Sequence, residues 1–219
     1  MSELTKRVIS GTILAAMLLG DLWLGSWWYL VLLLGGAAVV LREFVRLVRG
    51  MTGEPRVRAL WVVFGVIYVA LAVNGLWRVR ELPGNGLLMA AWLFLVVWAT
   101  DTGAYVFGRT IGGPRIAPSI SPSKTWAGLF GGFVFAGIVM VGMSSLNLGA
   151  IDGHWFGMAL LAIPLVVLAQ VGDFFESWMK RRAGVKDSGT LIPGHGGLFD
   201  RVDGLLPVAI VFPWLMGAT

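Results

Sequence analysis

The stretch from Trp155 to Lys180, WFGMALLAIPLVVLAQVGDFFESWMK, is apolar from 155 to 172 and then turns abruptly polar. An apolar run of that length approaches the roughly 20 residues that a bilayer core demands of a helix. Its continuation places Asp173, Glu176, Ser177 and Lys180 at i, i+3, i+4 and i+7, which on a helix gathers the four side chains on one face. The stretch predicts a membrane span that ends in a charged face. Ionised groups beside a bilayer are costly unless they pair, face water or hold an ion, so such a face marks a working site.

The rest of the chain reads the same way. Its 219 residues are 57% hydrophobic and only 13% charged, with a mean hydropathy of +0.81, whereas soluble domains carry about 25% charged residues. Apolar runs fall near 8–25, 26–41, 59–76, 86–100, 127–146, 155–172 and 204–218. The expectation is an all-α, polytopic transmembrane helix bundle of about seven spans, forming a single integral membrane domain over 1–219.

Positive charge sets the orientation, because lysine and arginine favour short cytoplasmic segments. With the N-terminus cytoplasmic, every lysine and arginine except Arg78 and Arg80 falls on that side, in the N-terminal Lys6-Arg7 and in the segments 42–58, 101–126 and 173–203. The net charge of +5 is thereby read as topology plus attraction to anionic headgroups of membrane lipids, and no nucleic acid partner is expected. Lys6-Arg7 and the run behind it are read as a retained first helix, since no small-residue cleavage site follows. Cysteine is absent, which excludes disulfides, a thiol nucleophile and a cysteine zinc site. Localisation in the cell membrane follows from the spans, with the polar segments 101–126 and 173–203 on the cytoplasmic side, where they can converge on one pocket.

Three groups of residues there have chemical capacity. Asp101 and Tyr105, in DTGAYVFGR, lie one turn apart if the preceding helix continues, and suit the lining of a polar cavity, with Asp101 merely ending the span as the competing reading. In SPSKTWAG, Ser121, Lys124 and Thr125 precede a helix start, where hydroxyls, backbone N–H groups and an ammonium can cradle phosphate; capping of the next helix is the competing reading. Asp173, Asp187, Asp200 and Asp203 form an oxygen-only set that fits a hard cation such as Mg²⁺, with salt bridging to the neighbouring lysines and arginines as the alternative. The turn Pro193-Gly194-His195-Gly196-Gly197 permits positive φ and close approach by a ligand. Gly128, Gly132 and Ala136 make a small-residue stripe that suits close helix packing within the chain, ahead of a homodimer seam. The arginine-rich 42–58 segment reads as a solvated surface without substrate chemistry.

The spacing of Ser177, Lys180-Arg181, Lys186-Asp187, Gly189, Ile192-Pro193, His195-Gly196-Gly197, Asp200-Arg201 and Asp203 resembles the signature of the phosphatidate cytidylyltransferase, or CDP-diacylglycerol synthase, family. DTGAYVFGR and SPSKTWAG resemble two further family segments, and the resemblance extends over roughly residues 85–210. Ala127 departs from it at a position where the family often has glutamate. The resemblance implies transfer of CMP from CTP to phosphatidic acid, with Mg²⁺ required and room for a second cation. It implies metal ligation by Asp173 and Asp200 with Asp203 and Asp187 in support, and catalytic roles for Lys180, Lys186, Arg201 and His195. Ser121, Lys124, Thr125, Asp101, Tyr105, Ser177 and Arg181 would contact substrate. A CTP-dependent lipid kinase would release CDP in place of pyrophosphate. A transporter relaying ions through Asp101 and Asp173 would show paired halves, and no internal repeat is visible.

Overall fold

The computed structural model describes Gly20 and residues 26–145, 155–192 and 196–217. Apart from Gly20, the apolar run at 8–25 lies outside these residues, as do Lys6-Arg7 and Pro193, Gly194 and His195. The described chain is mostly helical: α1 Ser26–Met51, α2 Pro55–Arg80, α3 Gly86–Thr110, α4 Trp126–Ser145, α5 Trp155–Arg182, the short α6 Phe199–Val202 and α7 Leu205–Leu215. Between α3 and α4 lies an antiparallel pair, β1 Arg115–Ala117 and β2 Ser121–Thr125, in the register Arg115 with Thr125 and Ala117 with Ser121. This hairpin corrects the purely helical expectation. Ser, Pro and Lys carry little strand propensity, so backbone pairing rather than side-chain pattern makes it.

Among the described residues, α2, α3, α4 and α5 are long and apolar enough to cross a membrane. They correspond to the expected runs at 59–76, 86–100, 127–146 and 155–172. The run at 204–218 folds instead around α7, whose 11 residues reach only about 16 Å at 1.5 Å per residue, short of a hydrocarbon core of about 30 Å. Helices also outrun their apolar stretches. Arg42, Arg46 and Arg49 belong to α1, Asp101 to α3 and Asp173 to α5. Hydropathy marks where the nonpolar surroundings end; it does not mark where backbone hydrogen bonding ends. Only residues 52–54 separate α1 from α2, which starts on Pro55, a residue suited to a first turn because it lacks the N–H that would go unused there.

Packing follows small residues. On α2 the buried positions Gly65, Val69, Ala72, Gly75, Leu76 and Val79 recur every three or four residues, while Leu60, Val63, Ile67 and Leu71 on other faces are exposed, an apolar exterior that suits lipid. A Cβ on Gly103 of α3 would strike the Gly131 carbonyl of α4, and one on Gly131 would strike the Gly103 carbonyl. Gly128 faces the Ala104 carbonyl in the same way, with 2.9 Å to its would-be Cβ. The small-residue stripe of α4 is thus occupied by α3 inside the chain. Aromatic rings of Phe44, Trp61, Phe64, Phe175 and Phe199 join α1, α2, α5 and α6 directly beside the charged end of α5.

Candidate active site

The charged face of α5 forms as its spacing predicts. Ser177 donates to Asp173 Oδ1 at 3.3 Å, and Lys180 pairs with the fully buried Glu176 one turn back. Facing it is β2. Lys124 reaches across to place its Nζ 2.5 Å from Asp173 Oδ2 and donates to Gln170 Oε1 at 2.8 Å, with the Phe174 ring beneath it.

The third component is the segment leading into α6. Asp200 Oδ1 accepts from Lys180 Nζ at 2.7 Å. Its Oδ2 accepts from the Ser188 N–H at 2.9 Å, the Ser188 hydroxyl at 2.9 Å and the Gly197 N–H at 2.8 Å. Three of these four donors fall on Oδ2, which fixes that oxygen in place, while Oδ1 is held by the Lys180 ammonium. Burial opposes its charge, but hydrogen bonds with Glu176, Lys180 and the Gly197 N–H outweigh burial and hold the carboxyl down at about 2. Gly196, at φ +81°, lies 2.8 Å from Asp200 Oδ2 at its would-be Cβ, so a side chain there would be strained and crowded.

Asp203 follows α6 and is brought against α5 by Gly172, where any Cβ would collide with the Asp203 carbonyl and meet Pro207 at 2.8 Å. Its Oδ1 accepts from the Gly204 N–H at 2.8 Å. Burial, and then the neighbouring Asp173 carboxylate, push the Asp203 carboxyl up to about 8. On the opposite wall, α3 continues past Asp101, so Asp101, Tyr105 and Arg109 stack along one side, with Arg109 donating to the Tyr105 hydroxyl at 2.7 Å.

These elements enclose a cavity of about 770 Å³ whose walls include Asp101, Tyr105, Lys124, Asp173, Lys180 and Asp203, within the roughly 300–1,000 Å³ of small-molecule sites. Thr125, Asp187, Asp200 and Arg201 line it as well. The other expected residues lie elsewhere. Ser121 is buried at the start of β2. Ser177 acts on Asp173 from behind, and Arg181 donates to the Ile120 carbonyl at 3.3 Å, tying α5 to the hairpin. Lys186 is exposed and outside the wall. Thr125 Oγ1 accepts from the Gly128 N–H at 3.1 Å, so it caps α4 while bordering the cavity. Among the described residues, no three His, Asp or Glu side chains are gathered tightly enough to hold a metal ion by themselves.

Two contributors were not anticipated. Gln170, still within the apolar run, holds Lys124. Glu43, in the arginine-rich segment set aside as surface, is buried and accepts hydrogen bonds from Ser188, Leu198 and Phe199. A single acid among arginines and aliphatics shows no spacing signal of its own; only its position on an otherwise apolar helical face hints at burial.

The family model for the cytidylyltransferase family matches residues 54–218. The chain is 44% identical over 158 residues to a protein of Brucella suis named phosphatidate cytidylyltransferase, a match that takes in 72% of this chain and 57% of that relative. Proteins of the same name from Rickettsia bellii and Haemophilus influenzae are 31% identical over 221 residues and 34% identical over 197 residues. The first match takes in 99% of this chain and 92% of the relative, the second 86% and 65%. The chain therefore spans little more than half the length of its Brucella relatives but nearly all of the Rickettsia one.

Proposed function

The chain belongs to the cytidylyltransferase family, and from that premise we propose that it transfers CMP from CTP to phosphatidic acid, giving CDP-diacylglycerol and pyrophosphate. The observation that carries the reading is one cavity in which carboxylates from α3, α5 and the α6 region meet the ammonium groups of Lys124 and Lys180. The name shared by the relatives supports the choice of substrates. In membrane terms we read a polytopic bundle with the N-terminus and the cavity on the cytoplasmic side of the cell membrane, α7 being too short to add a crossing of its own. The lysines and arginines of 42–58, 101–126 and 173–203 support that orientation.

The donor set fits a hard cation. All the acids of the wall offer oxygen alone, and, beside the burial that raises Asp203 most, the repulsion from Asp173 that adds to it is what a nearby divalent ion would relieve. Asp173 and Asp203 would hold Mg²⁺, with Asp187 in support; Asp200 would join by releasing Lys180. Two carboxylates, those of Asp173 and Asp203, suit Mg²⁺, which keeps waters and substrate phosphates among its ligands. When bound, the ion supplies charge neutralisation for the phosphates and the leaving group.

The protein's own groups do the rest. The nucleophile is a phosphate oxygen of the lipid, anionic near neutrality because a phosphomonoester's second pKa is about 6, so no protein base is required. It forms a bond to the α-phosphorus of CTP as the bridging α–β P–O bond breaks and pyrophosphate departs. Lys124 and Lys180, each already matched to a carboxylate, can turn toward phosphate oxygens as charge builds, and Arg201 adds a guanidinium to the same wall. The backbone at the β2–α4 junction and the Ser123 hydroxyl border the space for the triphosphate. Purified chain in detergent, supplied with CTP, phosphatidic acid and Mg²⁺, is expected to release pyrophosphate and CDP-diacylglycerol in equal amounts and to stop when EDTA is added. Release of CDP with a phosphorylated lipid would reject the assignment.

A further inference from the structure

Glu43 is the buried acid that this chemistry does not use. It lies on α1, ahead of the residues 54–218 that match the family, is 6% exposed and does not line the cavity. A buried carboxylate persists only where donors satisfy it, and its donors come from the segment after α5 and from Phe199, the first residue of α6. Oε2 accepts from the Phe199 N–H at 2.7 Å and the Ser188 hydroxyl at 3.1 Å, and Oε1 from the Leu198 N–H at 3.1 Å. Room for it comes from Gly189 and Gly197, where a Cβ would run into the Glu43 carboxylate. The same Ser188 hydroxyl lies 2.9 Å from Asp200 Oδ2, and the Ser188 N–H donates to that oxygen as well. One serine is thus held between two carboxylates from distant parts of the chain.

We propose that Glu43 is a positioning residue for the reaction: through Ser188 and the Leu198 and Phe199 amides it clamps this segment to α1, and so fixes Asp200 and the Lys180 ammonium at the cavity wall. The inference rests on the reaction assigned above. Its route is specific. Without the Glu43 carboxylate, the Leu198 and Phe199 N–H groups lose their acceptor, Ser188 is anchored by Asp200 alone, and the Asp200–Lys180 pair at 2.7 Å can move relative to Asp173. Glu43 touches no substrate, so its loss should misplace groups that meet developing charge more than it weakens substrate binding. Supporting residues behind a site typically cost about 10–100-fold when removed.

The test uses the full chain in detergent. Glu43→Gln keeps the shape but turns an amide toward N–H groups that need an acceptor, and Ser188→Ala removes only the shared hydroxyl. In E43Q, amides within 186–192 and 196–200 should exchange hydrogen about tenfold faster while α2 to α5 keep their protection. With CTP and phosphatidic acid, kcat should fall about 10–100-fold with KM for CTP within about twofold. The E43Q/S188A double variant should lose little beyond the worse single change, and Glu43→Asp should recover part of kcat. Unchanged exchange, wild-type kcat in E43Q, or full additivity in the double variant overturns the proposal. If E43Q does not fold, S188A is read by the same measures. A wild-type chain that makes no CDP-diacylglycerol overturns the reaction assignment, and the exchange measurement then still decides whether the clamp exists.

Discussion

Lys124 and Asp173 meet at 2.5 Å across the cavity, one from β2 and the other from the end of α5. The pair is partly buried, with side-chain exposures of 16% and 31%. It joins the two polar segments of the chain, with a cation poised where phosphate would arrive. Asp173→Asn should keep the fold and lower kcat by about 10²–10³, the usual cost of removing one electrostatic stabiliser. Lys124→Ala should do the same and also loosen the hairpin. Steady-state pyrophosphate release, with melting in detergent as the control, checks both.

Gly172 sets how closely Asp203 approaches Asp173. Gly172→Ala places a Cβ against the Asp203 carbonyl and Pro207, and should cost about 1–3 kcal/mol as an overpacked contact along with most of the activity. Gly157→Ala in the same helix meets nothing within 4 Å and should be neutral or stabilising. Thermal melting of the two variants side by side makes the comparison.

Asp200 predicts an acid limit. Its folded carboxyl, at about 2, lies below the ordinary 3.8, so its contribution to stability is complete above about pH 4 and is lost as pH falls through 2. The contribution is no more than about 2 kcal/mol, and less after solvent screening. Melting temperature measured between pH 5 and pH 3 should fall in wild type and fall less in Asp200→Asn, which starts from a lower value.

Thr125 separates capping from phosphate binding. Because its hydroxyl accepts from the Gly128 N–H, Thr125→Ala should cost about 1 kcal/mol, and Thr125→Ser should restore it. A kcat that follows stability through this pair marks a cap; a kcat that collapses in the alanine variant well beyond the stability loss marks direct contact with substrate.

Much of this site could be read from residue spacing. Asp173, Glu176, Ser177 and Lys180 share a face because helical periodicity requires it, and Asp101 joins them once α3 is allowed to continue beyond its apolar run. The boundaries of α1, α3 and α5 were hidden because hydropathy reports the surroundings of a helix and not its hydrogen bonding. The hairpin was hidden because SPSKT pairs through its backbone. Glu43 was hidden for a different reason: its partners lie beyond residue 187, and only its place on an otherwise apolar helical face hints at burial. The engagement of Asp200 by four donors is likewise a three-dimensional fact, while His195 lies outside the described residues.

Where Gly103 and Gly131 cross, α3 and α4 touch backbone to backbone with no side chain between them. The spacing of the two helices there has almost no compliance, since neither glycine has a rotamer that can change to widen or narrow it. The opposite wall hangs on hydrogen bonds to Asp200 and Glu43, which can lengthen or exchange partners. Accommodation of a bulky ligand must therefore come from that side, leaving the α3–α4 pair as a fixed anvil against which the softer half closes.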